Sequence, residues 1–318
     1  MVNSRRLQRV SSHLLSSAAL EVFKCQQPAA KHVTVYIACD SEGGTAMAEY
    51  WARNLGWDNP RHQEYRELMT RDCNACIEGC YRGGATQVIV SDDGMGGVLT
   101  VPELWDPRAR WVRGPEYGGP TPLLQGADSS FLGVMLIGFH SMQGTPGGVL
   151  AHTYSSAVRR ATTANGDAFG ELLEYAVAAG HDYNLPVLLV HGDNAVCAEA
   201  RELLGDGVHT VAVKEGFQEQ RALMVAPAKA REMLTDGARE AVATAVAGGA
   251  VVAPLRMRGP IRLTLELVGA SATEAAEFAL KRKGAWAEVG AVWPMTQRAG
   301  TSFFDGTLLE VPRQMKML

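Results

Sequence analysis

The sequence predicts an α/β protein: a parallel-sheet, Rossmann-like core with a smaller C-terminal α+β part. Two observations carry this. From residue 33 onward, apolar runs of strand length alternate with helical patterns, as in a parallel sheet with right-handed crossovers. The runs are continuous in Val, Ile and Leu instead of alternating with polar residues, as expected of strands buried on both faces.

The first 32 residues stand apart. They are rich in Arg and Ser, carry Glu21 as their one acid, and hold a short amphipathic stretch. This composition fits a mitochondrial transit peptide, and equally an arm that packs on a partner subunit or an early start codon. Strand runs then fall at Val33–Cys39, Gln87–Val90, Val134–Ile137, Pro186–Val190 and Thr210–Val213. Helical patterns between them cover Glu64–Gly79, Ala168–Ala179 and Cys197–Leu204. After about residue 216 the texture changes. Arg221–Ala247 reads as Ala-rich helix, 261–267 (IRLTLEL) alternates like a half-exposed strand, and 271–284 reads as a helix ending at Gly284. The expected division is therefore an N-terminal extension (1–32), an α/β site domain (33–215) and a C-terminal α+β part (216–318).

Composition narrows the function classes. The 318 residues are 47% hydrophobic and 20% charged, with a net charge of −4, ordinary for a soluble globular protein. That balance argues against a nucleic-acid partner, which would call for a basic stripe. No apolar run approaches bilayer-spanning length. Six cysteines in so long a chain read as free thiols in a reducing compartment. The expectation is a cytoplasmic protein, with a mitochondrial location as the alternative. Cys73, Cys76 and Cys80 could touch a metal from one helix face. Without a second cluster, they read better as small buried core residues.

The chemistry lies at the ends of the runs. The first ends in Asp40-Ser41-Glu42, the second in Ser91-Asp92-Asp93-Gly94, the third in Gly138-Phe139-His140 and the fourth in His191-Gly192-Asp193-Asn194. In an open parallel sheet the carboxyl ends of the strands form the ligand crevice. Asp40 and Glu42, two apart in extended chain, would point the same way. Mixed carboxylates and imidazoles suit a cation such as Zn²⁺. Each residue also has a plainer reading: Asp92-Asp93-Gly94 makes a good turn, and His191 could be a hydrogen-bonded core histidine. Beyond His140 a Gly-rich loop leads to His152, placed for proton transfer or nucleophilic attack. Glu171 lies in the first turns of the next helix and could swing toward the same rim.

These segments, in order, resemble one family. CDSEGG, NACIEG, GFHSMQGTPGGVLAHTYS, NGDAFGE, PVLLVHGDN and VAVKEG follow the pattern of the DppA-type D-aminopeptidases, a family of zinc metallopeptidases. The likeness covers roughly residues 33–230. It implies two zinc ions held by an Asp-x-Glu pair, histidines and a glutamate. Asp40 and Glu42 match that pair, with Asp40 as the bridging ligand. His140 and Glu171 match the next ligands, and His152 matches the nucleophile or acid/base. One ligand histidine of the family is missing: Gly94 stands in its place in the simplest alignment. Asp93, or as the second choice Asp92, is the candidate replacement, and the expected load is one or two zinc ions per chain. Asp92 and Asn165 are the candidate substrate-binding residues. The implied activity is hydrolysis of amide bonds in short peptides with an N-terminal D-residue, or of another small amide. The implied assembly is a ring-shaped homodecamer.

Other classes fit less well. A member that has lost its chemistry and serves as a binding or scaffold protein is the non-enzymatic alternative raised by Gly94. DSEGGT (40–45) distantly resembles the D-x-D-G-T motif of Mg²⁺-dependent phosphohydrolases. However, Glu42 stands where that chemistry wants Asp, and the His140–His152 loop would have no role. No G-x-G-x-x-G follows a strand, which disfavours a dinucleotide enzyme.

Overall fold

Strands without a polar face form the centre of the main sheet. β1 (Thr34–Cys39), β4 (Gly133–Phe139) and β6 (Val187–Asp193) are buried at every position. The computed structural model describes residues 32–49, 60–92, 99–114, 124–153, 158–163, 168–256, 263–268, 295–298 and 301–304. With β2 (Gln87–Asp92), β3 (Arg110–Val112), β7 (His209–Gln218) and β8 (Arg221–Met224), the sheet runs in the order β3-β2-β1-β4-β6-β7-β8. Every pairing is parallel except β7 with β8. The α/β class is therefore as the sequence predicts.

Alternation of side chains along each strand splits the core into two layers. Val35, Ile37 and Cys39 of β1 face one layer, while Tyr36 and Ala38 face the other. Helices α1 (Pro60–Gly83) and α4 (Pro227–Val246) cover the first layer; α2 (Glu171–Asp182) and α3 (Asn194–Leu204) cover the second. α1 and α4 approach closely because α1 carries glycines at the contact. A Cβ at Gly79 would sit 2.4 Å from the Thr235 carbonyl oxygen, and one at Gly83 2.6 Å from that of Arg239. Cys73, Cys76 and Cys80 are fully buried in this layer, with the Cys76 and Cys80 thiols against Met135. They are core residues.

A second, antiparallel sheet has the order β10-β11-β9-β5, from β5 (Val158–Thr163), β9 (Leu263–Val268), β10 (Met295–Arg298) and β11 (Thr301–Phe304). β9 is the alternating run at 261–267. The structure corrects three sequence expectations. Residues 221–224 form β8 and not helix, because the chain reverses at Glu219-Gln220 and pairs back on β7 before Pro227 starts α4. Helix α2 starts at Glu171 and not Ala168, because Ala168 and Phe169 pair with β5. The boundary at 215/216 falls inside β7, and α4 beyond it packs on the main sheet. The N-terminal extension (but for His32) and the helix expected at 271–284 lie outside the described residues. Among the described residues no helix is long and apolar enough to cross a membrane.

Candidate metal centre

In the strand order, chain continuations part company between β1 and β4: β2 and β3 lie to one side, β6 and β7 to the other. Such a switch point opens a crevice at the carboxyl ends of the strands. Asp40 follows β1 into it, and His140 follows β4. The two strand ends are laced together. The Asp40 N–H donates to the Ile137 carbonyl at 2.8 Å, and the Gly43 N–H to that of Gly138 at 2.7 Å. Both glycines are sterically required. A Cβ on Gly43 would lie 1.8 Å from the Phe139 carbonyl oxygen, and Gly138 has φ +78° with Asp40 oxygen 2.2 Å from its Cβ position.

The crevice gathers three carboxylates and two imidazoles. Asp40 Oδ1 accepts the Ser41 N–H at 2.8 Å, leaving Oδ2 buried with no hydrogen bond. That oxygen is 3.4 Å from His140 Nε2, which is equally buried and without a hydrogen bond. His140 Nδ1 lies 3.0 Å from the Ser141 carbonyl oxygen and so carries the proton. Its Nε2 is then an acceptor facing an acceptor. His152 has the same arrangement, with Nδ1 2.8 Å from the Leu150 carbonyl oxygen. The two rings stack at 3.9 Å and 12°. Glu171 Oε1, at the start of α2, lies 3.8 Å from Nε2 of each histidine. Asp40, Glu42 and His140 form one group whose ligand atoms fall within 4.8 Å of one another; His140, His152 and Glu171 form a second.

The electrostatics match. Burial, then Glu42 and Glu171, push the Asp40 carboxyl well above the usual range. Burial opposes ionisation of Glu42 too, but His152 and His140, in their protonated forms, and the Ser41 hydroxyl hold it down to about 2. The Ser41 hydroxyl donates to Glu42 at 2.6 Å. Two bare acceptors at 3.4 Å among crowded carboxylates form a cradle for a cation, and the O/N donor set is one zinc accepts. The residues present fit that metal.

Five of the residues singled out in the sequence therefore converge: Asp40, Glu42, His140, His152 and Glu171. Others do not. Asp92 is buried, and its carboxylate accepts from the Leu99 N–H, the Thr100 N–H and the Thr100 hydroxyl at 2.7–3.1 Å. It ties the end of β2 to Leu99 and Thr100 and is absent from both ligand groups. His191 is fully buried in β6, where Nδ1 accepts the Gly138 N–H at 3.1 Å. Burial, with Lys214 nearby, holds it down to about 3, so it is a neutral core histidine. Asp93, Gly94 and Asn165 lie outside the described residues.

Sequence reasoning missed three supporting residues. Asp193 caps α3 through the Val196 N–H at 2.7 Å and takes the Val149 N–H at 2.6 Å, tying down the loop that carries His152. Glu199, pushed up to about 7 by burial, accepts the Met142 N–H at 2.9 Å next to His140. Lys214 is buried and donates to three carbonyls of the loop after Asp40. The signal for Lys214 was a lysine closing the apolar run VAV, and for Asp193 its place at the end of the fourth run; Glu199 carried none.

Comparison with known proteins identifies the family. Residues 33–285 match the family model described as D-aminopeptidase. A D-aminopeptidase of Bacillus subtilis (strain 168) is 32% identical over 202 residues, 64% of this chain and 71% of that protein. A solved structure, described as the Zn-dependent D-aminopeptidase DppA from Bacillus subtilis, a self-compartmentalizing protease, superposes with a TM-score of 0.69. It is 27% identical, and the match covers 87% of this chain and 92% of that one. The protein belongs to the D-aminopeptidase family.

Proposed function

We propose that this protein is a zinc-dependent aminopeptidase that hydrolyses short peptides bearing an N-terminal D-residue and works as a homo-oligomer. The observation that carries the metal reading is the pair of buried atoms without hydrogen bonds, Asp40 Oδ2 and His140 Nε2, 3.4 Å apart. Asp40, Glu42, His140 and Glu171 bind the metal, one or two ions per chain. Zinc held there supplies Lewis acidity toward the scissile carbonyl. His152 keeps its proton on Nδ1 against the Leu150 carbonyl and presents Nε2 as a base. It takes a proton from the attacking water and delivers it to the leaving nitrogen as the C–N bond breaks. Glu171, 3.8 Å from that Nε2, steadies the imidazolium that forms in between. The preference for a D-residue and the oligomeric state rest on the relatives named above.

The test is hydrolysis of D-Ala-D-Ala and L-Ala-L-Ala by the purified chain, untreated, chelated and resupplied with zinc. The expected result is cleavage of the D-dipeptide, lost on chelation and restored by zinc. A zinc-loaded chain that cleaves neither would turn the assignment toward a binding protein on the same fold.

A further inference from the structure

Among the described residues Lys214 is the one buried cation in contact with the loop after β1, and the mechanism above gives it no part. It closes the buried stretch of β7 and is 2% exposed. Burying an ammonium is costly unless every donor is used. Here all three are. Lys214 Nζ donates to the carbonyl oxygens of Glu42 at 2.5 Å, Gly44 at 3.0 Å and Met47 at 2.7 Å. None of these bonds goes to a carboxylate. All fall on the one short loop that carries Glu42. β7 is separated from β1 by β4 and β6, so the bonds keep this loop folded across the ends of the intervening strands. From the other side, Asp72 of α1 accepts the Thr45 N–H at 2.9 Å. Glu42, Asp72 and Asp193 are the charges that act on the ammonium.

We propose that Lys214 is a positioning residue of the metal centre: it fixes the 42–47 loop so that the Glu42 carboxylate stays beside Asp40 and His140, and its charge offsets the crowded acids around them. A general anchor of the sheet would need no positive charge and would not spend all its donors on one loop. The inference rests on the zinc reading above.

The test compares zinc affinity, by competition with a chromophoric chelator, in the unsubstituted chain, Lys214→Met, Lys214→Gln and Val88→Ala. Val88 is fully buried at the opposite end of the neighbouring β2, so its truncation lowers stability without touching the site. Thermal unfolding of each apoprotein and the visible spectrum of each cobalt-substituted form are recorded in parallel. Lys214→Met should weaken zinc binding by about tenfold or more, the range for residues that orient metal ligands, and should alter the cobalt bands. Lys214→Gln, which keeps two donors but no charge, should fall between and serves alone if the Met variant does not fold. Val88→Ala should lose stability with its zinc affinity and cobalt bands unchanged. Zinc affinity unchanged in both Lys214 variants, or lowered equally in Val88→Ala, would overturn the positioning role. An unsubstituted chain that takes up no zinc would overturn the metal reading itself, and the role of Lys214 with it.

Discussion

Asp40 Oδ2 and His140 Nε2 stand 3.4 Å apart at the switch point, each buried and neither hydrogen-bonded. A ligand that binds only the folded chain stabilises it by an amount that grows with the logarithm of its concentration over Kd. At free zinc about a hundredfold above Kd the gain is about 2.7 kcal/mol. Thermal unfolding should therefore shift upward with zinc in the unsubstituted chain. The shift should vanish, or nearly so, in His140→Ala, because the nitrogen common to both ligand groups is gone. A full shift in that variant would remove His140 from the ligand set.

His152 lies 13% exposed by side chain at the mouth of the same group, its ring stacked on that of His140. General acid–base catalysis by one side chain is worth about 10²–10⁴ in rate. His152→Ala should lower kcat by about that factor and leave zinc content as it was. Loss of zinc in step with activity would make His152 a ligand instead.

Gly43 follows Glu42 directly, and a Cβ there would come within 1.8 Å of the Phe139 carbonyl oxygen. Gly43→Ala must move the loop off β4. A loss of about 1–3 kcal/mol is expected in urea unfolding, together with weakened zinc binding. Gly205 offers the control: it has φ +87° and nothing within 4 Å of its Cβ position. Gly205→Ala should cost about 1–2 kcal/mol from its left-handed backbone alone and leave zinc binding intact. Equal effects on zinc would show that the close approach at Gly43 does not shape the site.

His191 gives a pH signature. Burial, with the Lys214 ammonium nearby, lowers it from 6.5 to about 3. As pH falls below about 6.5 the unfolded chain binds a proton that the folded chain refuses. The stability it confers is therefore complete above pH 6.5 and is lost as pH falls toward 3. The slope is about 1.4 kcal/mol per pH unit for the full proton. His191→Gln should flatten the acid limb of the stability curve by about that amount. It should also cost about 1 kcal/mol at pH 7.5 through the altered bond to Gly138. An acid limb of unchanged steepness would mean that His191 titrates normally in the folded chain.

What could be read from the sequence, and what could not, follows from the range of the interactions. β1, β4 and β6 announce themselves because burial on both faces leaves only apolar residues. Asp40, Glu42 and His140 stand out because acids and a histidine end such strands. β8 does not: four residues, Arg221–Met224, are too short to show a period, and their pairing depends on a turn made outside them. β5 is equally mute, since VRRATT carries no apolar pattern and finds its partner about a hundred residues on. Asp92 and His191 occupy rim positions in sequence, yet hydrogen bonds with Thr100, eight residues on, and with Gly138, 53 residues back, turn them to structural work. Lys214 meets the loop near Glu42 from a residue 172 positions away, a contact no local pattern encodes.

The most direct test of the central claim is the metal content of the chain purified without chelator, measured by plasma mass spectrometry. The expected content is about one or two zinc ions per chain, falling to near zero in Asp40→Ala. Essentially no zinc in the unsubstituted protein, even after incubation with excess zinc, would contradict it.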